Sequence, residues 1–243
     1  MIDTSRVDRN VLSNGLVRHY HPRTDGGGEW MRWFLAQQIR EHGLREKYNT
    51  CYEWCSGSAP MGFHMYDQGL ADNLVLVDKY DLAIADCHLT IEENNLQDNV
   101  VAYCHDRVQD IPQGEPWDLV IANPPHSFRS EHASGGTTEE ADEYLTRVLL
   151  DDKMVAHQEF FDNIASRLSD GAEMFIIQHC TNFAEQYPDM ISDVGLKYLG
   201  QYIFDIRHGP LPPGISHREN LPIVRSGNMS NNQWATMHFV KGE

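Results

Sequence analysis

From Asn49 onward the chain alternates short, branched-residue-rich apolar runs with stretches of helical spacing. That alternation predicts an α/β domain with a mostly parallel sheet covered by helices on both faces. Seven runs read as strands: 50–54, 74–77, 100–104, 118–122, 173–178, 197–206 and 233–240. The fourth is the most informative. Leu119, Val120 and Ile121 form its apolar centre, and it stops abruptly at Asn123-Pro124-Pro125-His126. Proline fixes its own φ and restrains the residue before it. The turn is therefore stiff, and it sits at the carboxyl end of a strand, where open α/β sheets bind ligands.

The 243 residues suffice for one such domain with decoration. The expected division is an N-terminal hairpin and helix over 1–48, packed on a core over 49–243 that carries an irregular, proline-rich insertion at 207–232. No apolar run approaches membrane-spanning length, and MIDTSRVDRN lacks the basic-then-apolar pattern of a signal peptide. Cys51, Cys55, Cys87, Cys104 and Cys180 are odd in number and contain no C-x-x-C, as expected for reduced cysteines in a cytoplasmic setting. The 13 histidines are scattered, so no metal site is expected. With 19 basic and 36 acidic side chains the net charge is −17, which disfavours a nucleic-acid partner without excluding one, and no membrane partner is expected.

Before the core, Asn14-Gly15 between apolar stretches predicts a small hairpin within Val11 to Tyr20. The loop HPRTDGGG then leads, with Thr24 or Asp25 near the N-cap, into an amphipathic helix from Trp30 to Lys47, with Trp30, Trp33, Phe34, Ile39 and Leu44 on its apolar face. In the core, helices are predicted over 60–69, where Pro60 suits the first turn, and over 81–94. A polar stretch with Ser134-Gly135-Gly136 precedes a long helical region from about Glu139 to Leu168, broken near Asp151. Another helix, interrupted by Pro188, covers 182–194.

Four places carry chemistry. After the first strand, Glu53-Trp54-Cys55-Ser56-Gly57-Ser58-Ala59-Pro60 places small residues at 55, 57 and 59, either to admit a ligand near the backbone or simply to make a tight turn. A phosphate loop fails here, because Phe63 and His64 stand where Lys and Ser/Thr belong. Asp78 ends the second strand, placed to accept ribose hydroxyls or to cap the next helix, a role Asp81 is also placed to fill. Asp106, two residues past the third strand, is positioned for an adenine amino group or is a solvated carboxylate. Last, the Asn123 side-chain oxygen and the Pro124 carbonyl are two acceptors in fixed geometry, suited to gripping both hydrogens of a planar –NH2 group. His126 is placed to stack on or hydrogen-bond a substrate, unless it is incidental.

This order of motifs resembles class I S-adenosylmethionine-dependent methyltransferases that carry N-P-P-[YFH], over about Cys51 to Gln178. Within them it is most similar to the release-factor glutamine methyltransferases and the small ribosomal RNA methyltransferases; HPRTD resembles the proline-arginine loop of the glutamine enzymes. The resemblance implies a Rossmann-like class I methyltransferase fold whose last two strands form an antiparallel hairpin. It implies S-adenosyl-L-methionine as cofactor. Glu53, Cys55, Gly57 and Ala59 would surround its methionine part, with Asp78 on the ribose and Asp106 on the adenine. Asn123 and Pro124, stiffened by Pro125 and flanked by His126, would hold the acceptor nitrogen. Cys55 and Ala59 replace usual glycines, and His126 replaces the usual aromatic. The implied activity is N-methylation of a protein (glutamine-like) or small-molecule acceptor. The alternatives are an RNA or DNA base, which the same asparagine grip would suit once flipped out, and a non-catalytic module that keeps the sheet. A nicotinamide oxidoreductase fits poorly.

Overall fold

The computed structural model describes residues 7–21, 28–125, 151, 154–179, 187–191, 193–205 and 233–242. Strands β1 (Asp8–Val11) and β2 (Val17–Tyr20) form an antiparallel hairpin around Asn14-Gly15. The elements that follow are α1 (Gly28–His42), β3 (Tyr48–Trp54), α2 (Pro60–Asp67), β4 (Ala71–Asp78), α3 (Asp81–Glu93), β5 (Val100–Cys104) and β6 (Trp117–Ala122). After them come α4 (Val155–Ile164), β7 (Leu168–His179), the single turn α5 (Tyr187–Met190), β8 (Leu196–Asp205) and β9 (Gln233–Lys241).

Strands β3 to β9 make one sheet in the order β5-β4-β3-β6-β7-β9-β8. Strands β3 to β7 are parallel, and β9 runs antiparallel between β7 and β8. The order turns back between β3 and β6, so these two strands flank a topological switch point. Alternate residues feed opposite layers, as the two-residue period of a strand requires. Cys51, Leu119, Ile121, Phe175 and Ile177 pack with α1, α2 and α3, whereas Tyr52, Trp54, Val120, Ala122, Met174 and Ile176 pack with α4. All of β6 is buried, which is why it reads as an unbroken apolar run after Asp118. Asp118 itself is satisfied at the amino edge of the sheet by Arg45 and by the N–H groups of Asn49 and Thr50.

The hairpin docks on the third helix through side chains. The free edge of β2 and its extension present N–H groups at Val17, His19 and His21, which donate to Asn94 Oδ1 at 2.9 Å, Thr90 Oγ1 at 2.9 Å and Asp86 Oδ2 at 2.7 Å. Asn94 Nδ2 returns a bond to the Val17 carbonyl. The match is geometric. Four residues along a helix advance about 6 Å and two along a strand about 6.8 Å, so positions 86, 90 and 94 track every second strand residue. Asp67, at the end of α2, accepts from the Asn14 N–H and pins the hairpin tip.

Strands β4 and β7 start three and five residues earlier than expected, and the helices depart further. Helix α1 ends at His42 rather than near Lys47, because the Leu44 N–H is captured by the buried Glu173 carboxylate of β7 at 2.9 Å. Glu173 also accepts from Tyr48 Oη and His238 Nε2, so Leu44 leaves the apolar face and is 65% exposed. The helix expected to reach Leu168 stops at Ile164, and one 3-10 turn, Ala165–Arg167, folds the Arg167 guanidinium over the Trp117 ring and onto the Pro112 carbonyl. Between 182 and 194 the described residues hold only the short α5. His126, the Ser134-Gly135-Gly136 stretch and the 207–232 insertion lie outside the described residues.

Asn94→Ala removes the partner of both Val17 backbone groups and should cost about 1–2 kcal/mol. Hydrogen exchange should quicken at Val17, His19 and His21 while β3 and β6 keep their protection; unchanged exchange in the hairpin would refute the docking role.

Candidate functional site

The described residues singled out in the sequence, all but His126, converge on the carboxyl edge of the sheet. Trp54 pairs with Ala122, so residues 55 and 123 leave the sheet side by side at the switch point. Asp78 ends β4, and Asp106 lies two residues past the end of β5.

The loop from β3 into α2 has an unusual backbone. Cys55, Gly57 and Ala59 all take positive φ, at 54°, 54° and 52°. For Cys55 and Ala59 that conformation costs about 1–2 kcal/mol each, so other contacts must hold it. Ser56 N–H donates to the Val77 carbonyl at 3.0 Å, Ala59 N–H to the Ser56 carbonyl at 2.8 Å, and Gly57 N–H to Asp78 Oδ2 at 2.8 Å. Cys87 Sγ–H adds a contact to the Gly57 carbonyl from below. Cys55 and Ala59 thus adopt the left-handed backbone that glycine takes most readily.

Glu53, the residue before Trp54, is fully buried. Its Oε2 accepts from the Gly62 N–H in the first turn of α2 at 2.8 Å, and Oε1 has no hydrogen-bond partner. Burial pushes its carboxyl up to about 8, against the Gly62 N–H and Arg18, which pull it down. Gly62 is required by contact: a Cβ there would lie 2.4 Å from Glu53 Oε2 and 2.8 Å from Leu76 Cδ2. Asp78 splits its carboxylate between the Gly57 N–H and the Tyr80 N–H, and burial raises its pKa despite these bonds. It therefore serves the start of α3 itself, while Asp81 binds only the next N–H, that of Leu82. Each Asp78 oxygen still has lone-pair capacity beyond one N–H. Asp106 is exposed and stands 4.0 Å from Lys79 Nζ. Asn123 and Pro125 are half-buried and Pro124 is buried at the end of β6.

Two groups were not legible in the sequence. Arg18 of β2 is completely buried; its Nη1 donates to Ser58 Oγ at 3.2 Å and its Nε to Asn10 Oδ1 at 3.2 Å. No local pattern marks it, since its partner Ser58 lies 40 residues on in the chain and is reached through the docked hairpin. On the α4 side, Asp151 accepts from the Ala156 N–H and pairs with His157 Nδ1, and Gln178 Nε2 bridges His157 Nε2 and Tyr187 Oη. Burial holds His157 below its ordinary value, although Asp151 pulls it up. Trp54 stacks on Phe160 and meets the edge of His157, so this network floors the switch point from the opposite layer. Among the described residues no cluster of His, Cys, Asp and Glu is arranged to hold a metal, and no helix is long and apolar enough to cross a membrane.

No protein-family model and no curated protein matches the chain. Solved structures do. The N-methyltransferase NodS from Bradyrhizobium japonicum WM9 is 12% identical with a TM-score of 0.51, over 88% of this chain and 97% of that one. A methyltransferase from Pyrococcus furiosus is 12% identical with a TM-score of 0.56, over 92% of this chain and 88% of that one. The T. thermophilus 16S rRNA guanine-N2 methyltransferase RsmC, solved with AdoMet and guanosine, is 13% identical with a TM-score of 0.54; 98% of this chain spans only 50% of it. These likenesses establish the fold: a Rossmann-like methyltransferase fold with a closing antiparallel hairpin.

Gly62→Ala should overpack the Glu53 contact and cost about 1–3 kcal/mol in urea unfolding; an unchanged midpoint would show that Glu53 yields freely. Glu53 also sets a pH dependence. Its folded value of about 8 lies above its unfolded one, so wild-type stability should fall as pH rises from about 4.5 to about 8. Glu53→Gln should flatten that decline by up to about 1.4 kcal/mol per pH unit; parallel curves for the two proteins would contradict the buried, protonated carboxyl.

Proposed function

We propose that the chain is an S-adenosylmethionine-dependent N-methyltransferase acting on a planar amide or amine nitrogen of a protein (glutamine-like) or small-molecule acceptor. The observation that carries this reading is the meeting, at one switch point, of the left-handed 55–59 loop and the Asn123-Pro124-Pro125 turn. The fold relatives include enzymes named for methyl transfer to nitrogen, which supports the same reading.

The residues present fit the cofactor. The partnerless Oε1 of buried Glu53 suits an ammonium group, and Gly57, between Cys55 and Ala59, offers the open backbone that a close ligand requires. Asp78 would hold the ribose and Asp106 the adenine amino group. When bound, the cofactor supplies an activated methyl group. The protein's own contribution is alignment: Asn123 Oδ1 and the Pro124 carbonyl accept the two N–H groups of the acceptor and aim its lone pair. The nitrogen gains positive charge as it is methylated and loses a proton afterwards, so no general base is needed before transfer. His126 is assigned to the acceptor side of this turn.

The RNA-base reading has one specific support, the likeness to RsmC and to aTrm5, the latter solved with tRNA. Against it stands the net charge of −17, which leaves little to neutralise phosphates.

The test is transfer of labelled methyl from S-adenosylmethionine into a cell extract, with the product then split by protease and by nuclease. Protease-released label supports a protein acceptor, label among small molecules a metabolite, and nuclease-released label the RNA-base reading. Asn123→Ala should cut turnover by about 10²–10³ with cofactor affinity nearly unchanged. Asp78→Ala should weaken cofactor binding first. Equal loss of turnover and affinity in Asn123→Ala would count against its role, and an unaltered affinity in Asp78→Ala would remove that assignment.

A further inference from the structure

A buried carboxyl and a buried guanidinium bracket the first turn of α2 in the interior. On one side the Glu53 carboxylate binds the Gly62 N–H through Oε2 and leaves Oε1 without a partner. On the other, the guanidinium of Arg18 meets Ser58 Oγ, two residues before the helix begins. Both side chains are fully buried, and both belong to the segment that carries the left-handed loop or rest directly on it. Arg18 is held there firmly: its guanidinium lies 4.6 Å from the centre of the Tyr20 ring, and its strand is bound to α3 on either side of it, at Val17 and His19.

A positive group, a helix start and an unpartnered carboxylate oxygen within a few residues make a site for a zwitterion. The helix start and a guanidinium both favour a carboxylate, and guanidinium geometry suits it better than an ammonium does. Glu53 Oε1, buried without a partner, offers an acceptor to an ammonium N–H. The α-amino-acid end of S-adenosylmethionine carries these two groups on one carbon.

We propose that Arg18 is a cofactor-specificity residue, delivered by the β1–β2 hairpin, whose charge selects the α-carboxylate of the ligand while Glu53 takes its α-ammonium. The inference rests on the cofactor reading above. It makes the hairpin part of the binding site, because Arg18 reaches Ser58 only when β2 is docked on Asp86, Thr90 and Asn94.

The experiment compares S-adenosylmethionine with decarboxylated S-adenosylmethionine, which keeps the ammonium and lacks the carboxylate, by calorimetric titration of the full chain. Wild type should bind the complete cofactor at least about tenfold more tightly. Arg18→Gln should abolish that preference by weakening the complete cofactor alone, and Arg18→Lys should keep part of it. Equal weakening of both ligands in Arg18→Gln would assign Arg18 to hairpin docking only and overturn the proposal. Should Arg18→Gln not fold, the wild-type comparison and the lysine variant still decide, because a wild type indifferent to the carboxylate overturns it. A wild type that binds neither ligand would instead remove the cofactor reading from which the inference starts.

Discussion

The hydrogen bond from the Gly57 N–H to Asp78 Oδ2 is the contact on which the site depends. It ties the loop after β3 to the last residue of β4, and with the Ser56 bond to Val77 it fixes a backbone that two of its residues adopt at a steric cost. Once the loop is fixed, α2 starts at Pro60, Gly62 comes up against Glu53, and a buried carboxylate is left with one oxygen unpartnered. Local strain of this kind persists only where surrounding structure over-determines it, and such places gather at binding sites.

The two faces of the sheet divide the labour. On the face of α1, α2 and α3, ionisable groups enter the interior: Glu53 from the sheet, Arg18 from the hairpin and Asp86 from α3. On the face of α4, the polar groups form a chain from Asp151 through His157 and Gln178 to Tyr187, wedged by the Trp54–Phe160 stack. The first arrangement leaves a buried carboxyl oxygen without a hydrogen-bond partner. The second joins its side chains to one another and stiffens the floor beside the Asn123-Pro124 turn, which suits a mechanism that works by alignment.

Sequence alone sufficed for the sheet, because buried parallel strands read as apolar runs with sharp ends. Val100–Cys104 coincides with its strand, and Asp118–Ala122 differs from its strand by one residue. The edges of α1 and α4 were not legible, since each is set by a distant side chain: Glu173 captures the Leu44 N–H, and Arg167 folds onto Trp117 and Pro112. The small residues at 55, 57 and 59 were visible as a pattern, whereas the left-handed geometry of Cys55 and Ala59 was not, because nothing local favours it in those residue types. Arg18 was invisible for a related reason. A polar residue in a short surface strand looks solvated until the strand is docked through positions 86, 90 and 94 of α3.

The 53–62 segment and Asp78 together make up the proposed binding site for S-adenosylmethionine. Hydrogen exchange with and without S-adenosylhomocysteine, with NAD as the control ligand, tests it most directly. The account predicts slowed exchange at Cys55 to Gly62, at residues 78–80 and in the docked hairpin, with S-adenosylhomocysteine alone. Protection by NAD instead, or protection that spares the 55–62 loop, would contradict it.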